Sequence, residues 1–195
     1  ELTLPEINFL DAGYGFYKNS PERTNLNAKQ HRIPSLEKIF QTFSDERINI
    51  EIKDSKLSGL VGLIDLINEY KMSNNILIVS SHYSVIKKFR KMASRQIVTA
   101  ASRRDIIDSM YWSWLPLYEF KFDAFQLPFY SKTVEKYKMN HASWLKEKQG
   151  KQLEVHYYTL DEKADIKQAI LIGANGIITN KPKVVYDVLK NLGMR

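Results

Sequence analysis

Cysteine is absent from the 195 residues, so the chain has no disulfide framework, no thiolate nucleophile and no cysteine-built zinc site. No run of about eighteen apolar residues occurs, and no secretory hydrophobic region is visible. A membrane-spanning helix is therefore not expected, export has no support, and a cytoplasmic protein is the expectation. Glycine-rich GxGxxG turns are missing after every apolar run, which removes the usual dinucleotide-binding sheet. The GxSxG elbow is missing too, so Ser81 and His82 lack the strand–turn–helix context of a hydrolase triad. Acid is short relative to base: 22 Asp and Glu against 29 Lys and Arg give a net charge of +7. Such an excess favours an anionic partner, whether nucleic acid, a lipid surface or a phosphorylated small substrate. Basic and aromatic residues are not interleaved in any known nucleic-acid motif, so nucleic acid is not the expected partner. Methionine is absent from position 1, where Glu1 opens a helix-capping phrase, LTLPEINFL, and a truncated or processed product is expected.

What is present is a hydrophobic content of 44%, enough for one sizeable core and a single domain over residues 1–195. Short β-rich runs recur at Ile48–Ile52, Ile76–Ser81, Gln96–Ala101, Ala124–Phe129, Leu153–Thr159 and Gly176–Thr179, each interval long enough for a helix. SKLSGLVGLIDLINEYK sets Leu60, Leu63, Ile64 and Ile67 on one helical face. SVIKKFRKM groups Val85, Ile86 and Phe89 behind Ser84 as N-cap, and DEKADIKQAILIG is expected to start at a capping Asp161 and end at Gly173. Pro182 suits the first turn of a last helix, and Gly176 is expected to make a tight turn before the final strand. Residues 10–34, rich in Asn, Gly and Pro, are expected to be a loop or excursion. Alternating strand and helix imply an α/β class with a parallel sheet, and six strands fit an incomplete (β/α)8 TIM-type barrel with about six of its eight strands.

Within that architecture INIEIKD, 48–54, becomes a question about chemistry. If its isoleucines face the outer helices, Asn49, Glu51 and Lys53 face the interior or the mouth. Two opposite charges there form either a structural ion pair, a solvated polar edge, or a metal-ligating carboxylate beside a phosphate-binding lysine. Ser80, Ser81 and His82 close the second run, where capping is the alternative to a site role. Gln126 and Pro128 end the fourth and Tyr158 and Thr159 the fifth, where rim packing competes with substrate contact. Trp112, Trp114, Tyr118 and Phe120, in the aromatic stretch 110–122, either meet a bilayer interface peripherally or cover the barrel wall. The basic clusters KKFRK, 87–91, and SRR, 102–104, are expected to be solvated helix faces.

Four blocks in order carry a resemblance. LTLPEINFLDAGYGF resembles the phrase after the catalytic HD strand of the glycerophosphodiester phosphodiesterase family; IPSLEKIFQTF then INIEIK resembles its "IPxLxExL … xxExK". VHYYTLD resembles "VxVWTVN", and GANGIITNKP resembles "GVDGIITDxP". The resemblance implies a TIM barrel that uses a divalent cation, Mg2+ or Ca2+, to hydrolyse glycerophosphodiesters to glycerol 3-phosphate and an alcohol. It assigns Glu51 to the metal, Lys53 to the substrate phosphate and Tyr158 to the substrate-lining rim; Gln126, from its place at the end of the fourth run, is a further candidate for substrate contact. It also implies that the HRG, ENT and ExD segments, with both catalytic histidines, precede Glu1, so that no catalytic residue lies in this chain and the isolated 195 residues are inactive. Asn180 stands where the family has Asp, and His82 where Phe is usual. Two other functions stay open: a related barrel acting on lysophospholipids, and a non-catalytic module for anionic lipid or nucleic acid. Oligomeric state is not encoded in any motif here.

Overall fold

A computed structural model of the chain describes residues 2–15, 31–112, 115, 117–129 and 153–194. The chain opens with a short helix α1 (Leu4–Asn8), where Glu6 accepts from the Thr3 N–H at 2.6 Å and from the Thr3 hydroxyl at 2.8 Å. Then come α2 (Leu36–Thr42), β1 (Ile48–Glu51), α3 (Leu60–Glu69), β2 (Ile76–Val79), α4 (Tyr83–Met92), β3 (Val98–Thr99) and α5 (Arg103–Trp112). The series continues with β4 (Ala124–Pro128), β5 (Glu154–Tyr158), α6 (Lys163–Leu171), β6 (Gly176–Ile177) and α7 (Pro182–Asn191). All six expected strands form. Of the expected loop at 10–34, residues 16–30 lie outside the described residues, as do Trp114 and His141.

Among the described residues every strand pair is parallel, in the order β1-β2-β3 and β4-β5-β6. The two triplets join through a parallel bridge between Ala100 and Ala124, with Ala101 N–H donating to the Ala124 carbonyl (2.8 Å) and Asp123 N–H to the Thr99 carbonyl (2.8 Å). The result is one arc of six parallel strands with helices on its outer face, the α/β arrangement that alternating strand and helix dictate. Among the described residues nothing pairs with the outer edges of β1 and β6.

Strand residues that point at the helices are sealed: Ile76, Ile78, Phe125, Leu127, Val155 and Tyr157 are each at most 1% exposed. Their alternates on the inner wall, Ala124 apart, are not. Asn49, Glu51 and Glu154 are exposed, Val98 is 38% exposed and Tyr158 39%. Removing the outer face from water supplies the driving force of the arc, at about 1.5–3 kcal/mol per buried side chain. The helix faces match: α3 buries Leu60, Ile64 and Ile67, and α4 buries Val85, Ile86 and Phe89.

Several local expectations differ from what forms. His82, not Ser84, is the N-cap of α4, because Ser80 Oγ, donating to the Ile52 carbonyl (2.8 Å), accepts from the His82 N–H (3.2 Å) and ends β2 there. Glu162, not Asp161, precedes α6, since the Asp161 carboxylate is taken by Thr179 and Asn180. The turn falls at Gly173, with φ 90° closing α6, while Gly176 is strand. Arg90 does not belong to a solvated face. It donates to Thr99 Oγ1 (2.9 Å), the Ala100 carbonyl (2.9 Å) and Asp105 Oδ2 (3.0 Å), and Asp105 also accepts from the Ser102 N–H and hydroxyl (both 2.8 Å). That buried network ties α4 and α5 to the end of β3. In the aromatic stretch, Tyr118, Phe120, Phe122 and Phe125 stack edge-on at 4.8–5.4 Å as wall packing, whereas Tyr111 and Trp112 are 57% and 52% exposed.

Candidate active site at the C-terminal ends of the strands

In a parallel arc, carboxyl ends of strands share one rim, and side chains leaving that rim converge. Glu51 is the last residue of β1 and Tyr158 the last of β5, both on the inner wall. Tyr158 senses Glu51 across it: burial first, then the charge on Glu51, hold the Tyr158 phenol above its ordinary value. Lys53, two residues past Glu51, pairs with it at 3.1 Å between Nζ and Oε2, with side chains 81% and 47% exposed. The rim thus carries one carboxylate, one ammonium and one phenol, all open to solvent. An exposed pair of this kind contributes little to stability. Its charges are available to a ligand at small desolvation cost.

Gln126 does not end its strand. It is the third of five residues in β4, half-buried in the middle layer, in register with His156 of β5 and, beyond it, Gly176 of β6. His156 Nδ1 lies 3.4 Å from Gln126 Nε2, and His156 Nε2 lies 2.9 Å from Glu154 Oε2. This polar chain of Glu154, His156 and Gln126 was not singled out from the sequence. The signal was there, since EVHYY alternates in the same way as INIEI. A cavity of about 500 Å3, lined by Arg47, Asn49, Asp123, Glu154 and His156 among others, opens at the amino ends of the strands, opposite the rim.

His82 sits at the rim, exposed, and its ring takes part in no hydrogen bond among the described residues, so no triad forms with Ser81. Ser80 is buried as a strand terminator. Beyond the rim, Asp161 Oδ1 accepts from the Thr179 hydroxyl (2.9 Å) and the Asn180 N–H (2.8 Å), while Oδ2 accepts from Asn180 Nδ2 (3.0 Å). Those bonds, the Asn180 side chain foremost, hold the Asp161 carboxyl below its ordinary value. They lock the loop after β5 to the loop after β6.

A hard divalent cation wants six or more oxygens, several of them anionic. Among the described residues no group of three or more His, Asp or Glu could hold one. Glu51 offers the right donor chemistry, but it is a single carboxylate already facing an ammonium. The described residues by themselves do not amount to a metal site.

The model of the glycerophosphoryl diester phosphodiesterase family matches residues 1–184. The chain belongs to that family. A glycerophosphodiester phosphodiesterase of Caldanaerobacter subterraneus subsp. tengcongensis is 26% identical over 99% of this chain and 73% of its own length. Human lysophospholipase D GDPD1 is 23% identical over 84% of this chain, which spans only 58% of that protein. Among solved structures, a glycerophosphoryl diester phosphodiesterase from Silicibacter pomeroyi superposes with a TM-score of 0.72 at 16% identity, covering 100% of this chain and 70% of the other. One from Galdieria sulphuraria gives 0.67 at 20% identity, covering 98% and 71%. At those identities the structural likeness speaks for the fold, and the six-stranded parallel arc is that of an incomplete TIM barrel within an enzyme family that cleaves phosphodiesters.

Proposed function

We propose that this chain forms the phosphate-facing wall of a metal-dependent glycerophosphodiester phosphodiesterase. The observation that carries the proposal is the rim: Lys53 and Glu51 within 3.1 Å of each other, with Tyr158 near enough across the inner wall to feel the Glu51 charge. Lys53 takes a phosphoryl oxygen and stabilises the charge that develops on it, a role for which a compact, exposed ammonium is suited. Tyr158 lines the entry for the diester, and Gln126 lies one layer deeper. Glu51 would offer one carboxylate to an Mg2+ or Ca2+ ion, and such an ion, when bound, would supply Lewis-acid stabilisation of the phosphoryl group. Release of the alcohol needs a proton donor, and hydrolysis needs a base. Neither role is assigned to Lys53, Glu51, Tyr158 or Gln126.

The test is release of glycerol 3-phosphate from glycerophosphocholine, with Mg2+, Ca2+ or chelator, by these 195 residues and by a longer form that turns over. Inactivity of the short chain and loss of activity in a longer Glu51→Gln variant are expected. Metal-dependent turnover by the short chain alone would refute the division of roles. The human lysophospholipase D relative supports a second substrate reading, a lysophospholipid, for the same rim. Exposed Tyr111 and Trp112 together with the +7 charge support peripheral contact with an anionic bilayer. Salt-sensitive sedimentation with anionic vesicles that survives Glu51→Gln, with no turnover in any form, would favour a binding module instead.

A further inference from the structure

The middle layer of the inner wall has a directionality that hydrogen-bond donors and acceptors fix. Glu154 Oε2 lies 2.9 Å from His156 Nε2, and a carboxylate only accepts, so the ring proton sits on Nε2. The other ring nitrogen, Nδ1, faces β4. Facing it at 3.4 Å is Gln126 Nε2, an amide nitrogen that only donates, so the contact is made with the NH2 group on the imidazole. No other hydrogen bond of the Gln126 side chain is found among the described residues, which leaves its carbonyl oxygen as the group offered to the interior. Gly176 fixes the ring from the other side: a Cβ there would lie 2.7 Å from His156 Cδ2 and 3.0 Å from Cγ.

We propose that His156, held as its Nε2–H tautomer by Glu154, is a positioning residue that turns the Gln126 amide so that its carbonyl oxygen faces the diester. A carbonyl oxygen repels phosphoryl oxygens and accepts from hydroxyls. The middle layer therefore reads the hydroxyl-bearing, glycerol end of the substrate, while Lys53 at the rim reads the phosphate. This assignment rests on the phosphodiesterase proposal for the rim. It goes further in making a neutral amide, oriented by a histidine and a glutamate, the determinant of preference for a polyol over a bare phosphate.

The test uses the whole 195-residue chain, uniformly 15N- and 13C-labelled, followed by NMR. The imidazole nitrogens of His156 are expected to report a proton on Nε2, and Glu154→Gln to weaken that preference. Titrations with glycerol 3-phosphate and with inorganic phosphate are then followed at the Gln126 side-chain amide and at Lys53. Glycerol 3-phosphate is expected to move both, inorganic phosphate only Lys53. His156→Phe should reduce the affinity ratio of glycerol 3-phosphate over phosphate about three- to tenfold, the worth of one hydrogen bond. His156→Asn, whose carbonyl can stand in for Nδ1, should restore much of it. A proton on Nδ1 in the unmutated chain overturns the positioning role and leaves the rim proposal intact. So does an equal response of Gln126 to both ligands. If neither ligand moves any of Lys53, Tyr158 and Gln126, the rim proposal is overturned, and the specificity role with it.

Discussion

Gly176→Ala is the sharpest probe of the inner wall, because its sign depends on one neighbour. The φ of Gly176 is not in the left-handed region, unlike those of Gly173 and Gly193, so its backbone accepts an L side chain. By itself the change would stabilise the chain by about 0.4–1 kcal/mol, through lost freedom in the unfolded state. The added methyl, however, would sit 2.7 Å from His156 Cδ2, 3.0 Å from Cγ and 3.2 Å from Nε2. Ordinary contact begins near 3.4 Å, so the ring must yield by several tenths of an ångström. If it turns away, it gives up its bonds to Glu154 and Gln126, worth roughly 0.5–1.5 kcal/mol each. If it stays, β6 must shift at about 1–3 kcal/mol, the usual cost of overpacking. Either route gives a net loss of about 1–2 kcal/mol once the unfolded-state gain is set against it. With His156→Ala as background the obstruction is gone, and Gly176→Ala should become neutral or slightly stabilising. The two changes should thus couple by about 2 kcal/mol in a double-mutant cycle read by urea unfolding. Equal cost of Gly176→Ala in both backgrounds would show that the ring is not what the glycine accommodates.

Other expectations follow from the same geometry. Arg90→Met should cost about 3 kcal/mol, because it leaves buried Asp105 without its cationic partner, with only the Ser102 bonds, and the Ala100 carbonyl without its donor; urea unfolding measures it, and a loss under 1 kcal/mol would contradict the network. Tyr157, 0% exposed, has its phenol pushed up to about 12 by burial. A raised folded-state value means that full stability holds below about pH 10 and is lost as pH rises through 12, by about 2–3 kcal/mol for this group, so Tyr157→Phe should flatten the alkaline limb of Tm against pH. Asp161, held below its ordinary value of 3.8, works in the opposite direction: its contribution is complete above that pH and disappears on acidification below it, a limb that Asp161→Asn should remove. In a form of the protein that turns over, Lys53→Met should lower kcat by about a hundredfold, measured by glycerol 3-phosphate release.

The fold was legible because parallel strands buried on their helix side advertise themselves in runs such as ILIV and EVHYY, and because helical spacing of Leu60, Ile64 and Ile67 needs no long-range information. Caps and turns were legible only where the sequence neighbour is also the spatial partner. Thr3 and Glu6, three residues apart, form as the capping phrase suggests. Ser84 and Asp161 do not cap, since their helices begin elsewhere for reasons set by Ser80, Ile52, Thr179 and Asn180, residues brought together only by the sheet. Gly176 reads in sequence both as a tight turn and as the start of the last strand run; in space it is the strand residue, kept small by a ring on the adjacent strand. Glu51 and Lys53 were visible from alternation alone; the structure brings them onto one rim with Tyr158, while Gln126 lies a layer deeper beside a histidine that alternation also marks.

The Asp161–Asn180 contact explains a departure that sequence comparison leaves unexplained. Where the family phrases read "VxVWTVN" and "GVDGIITDxP", this chain has VHYYTLD and GANGIITNKP, so an amide and a carboxylate have changed places. Asn180 Nδ2 donates to Asp161 Oδ2 at 3.0 Å, and a hydrogen bond between an amide and a carboxylate is preserved whichever partner supplies the charge. The exchange is therefore compensated at the position where it occurs, and Asn180 needs no separate catalytic meaning. Two single changes test this against one double change. Asn180→Asp alone sets two carboxylates together and should lower Tm at neutral pH, with partial recovery on mild acidification. Asp161→Asn alone loses the charge-assisted bonds from Thr179 and the Asn180 backbone. Combining the two re-creates the family arrangement and should recover most of the lost Tm. A double variant no better than the sum of its parts would mean that the loops after β5 and β6 are held by something other than this pair.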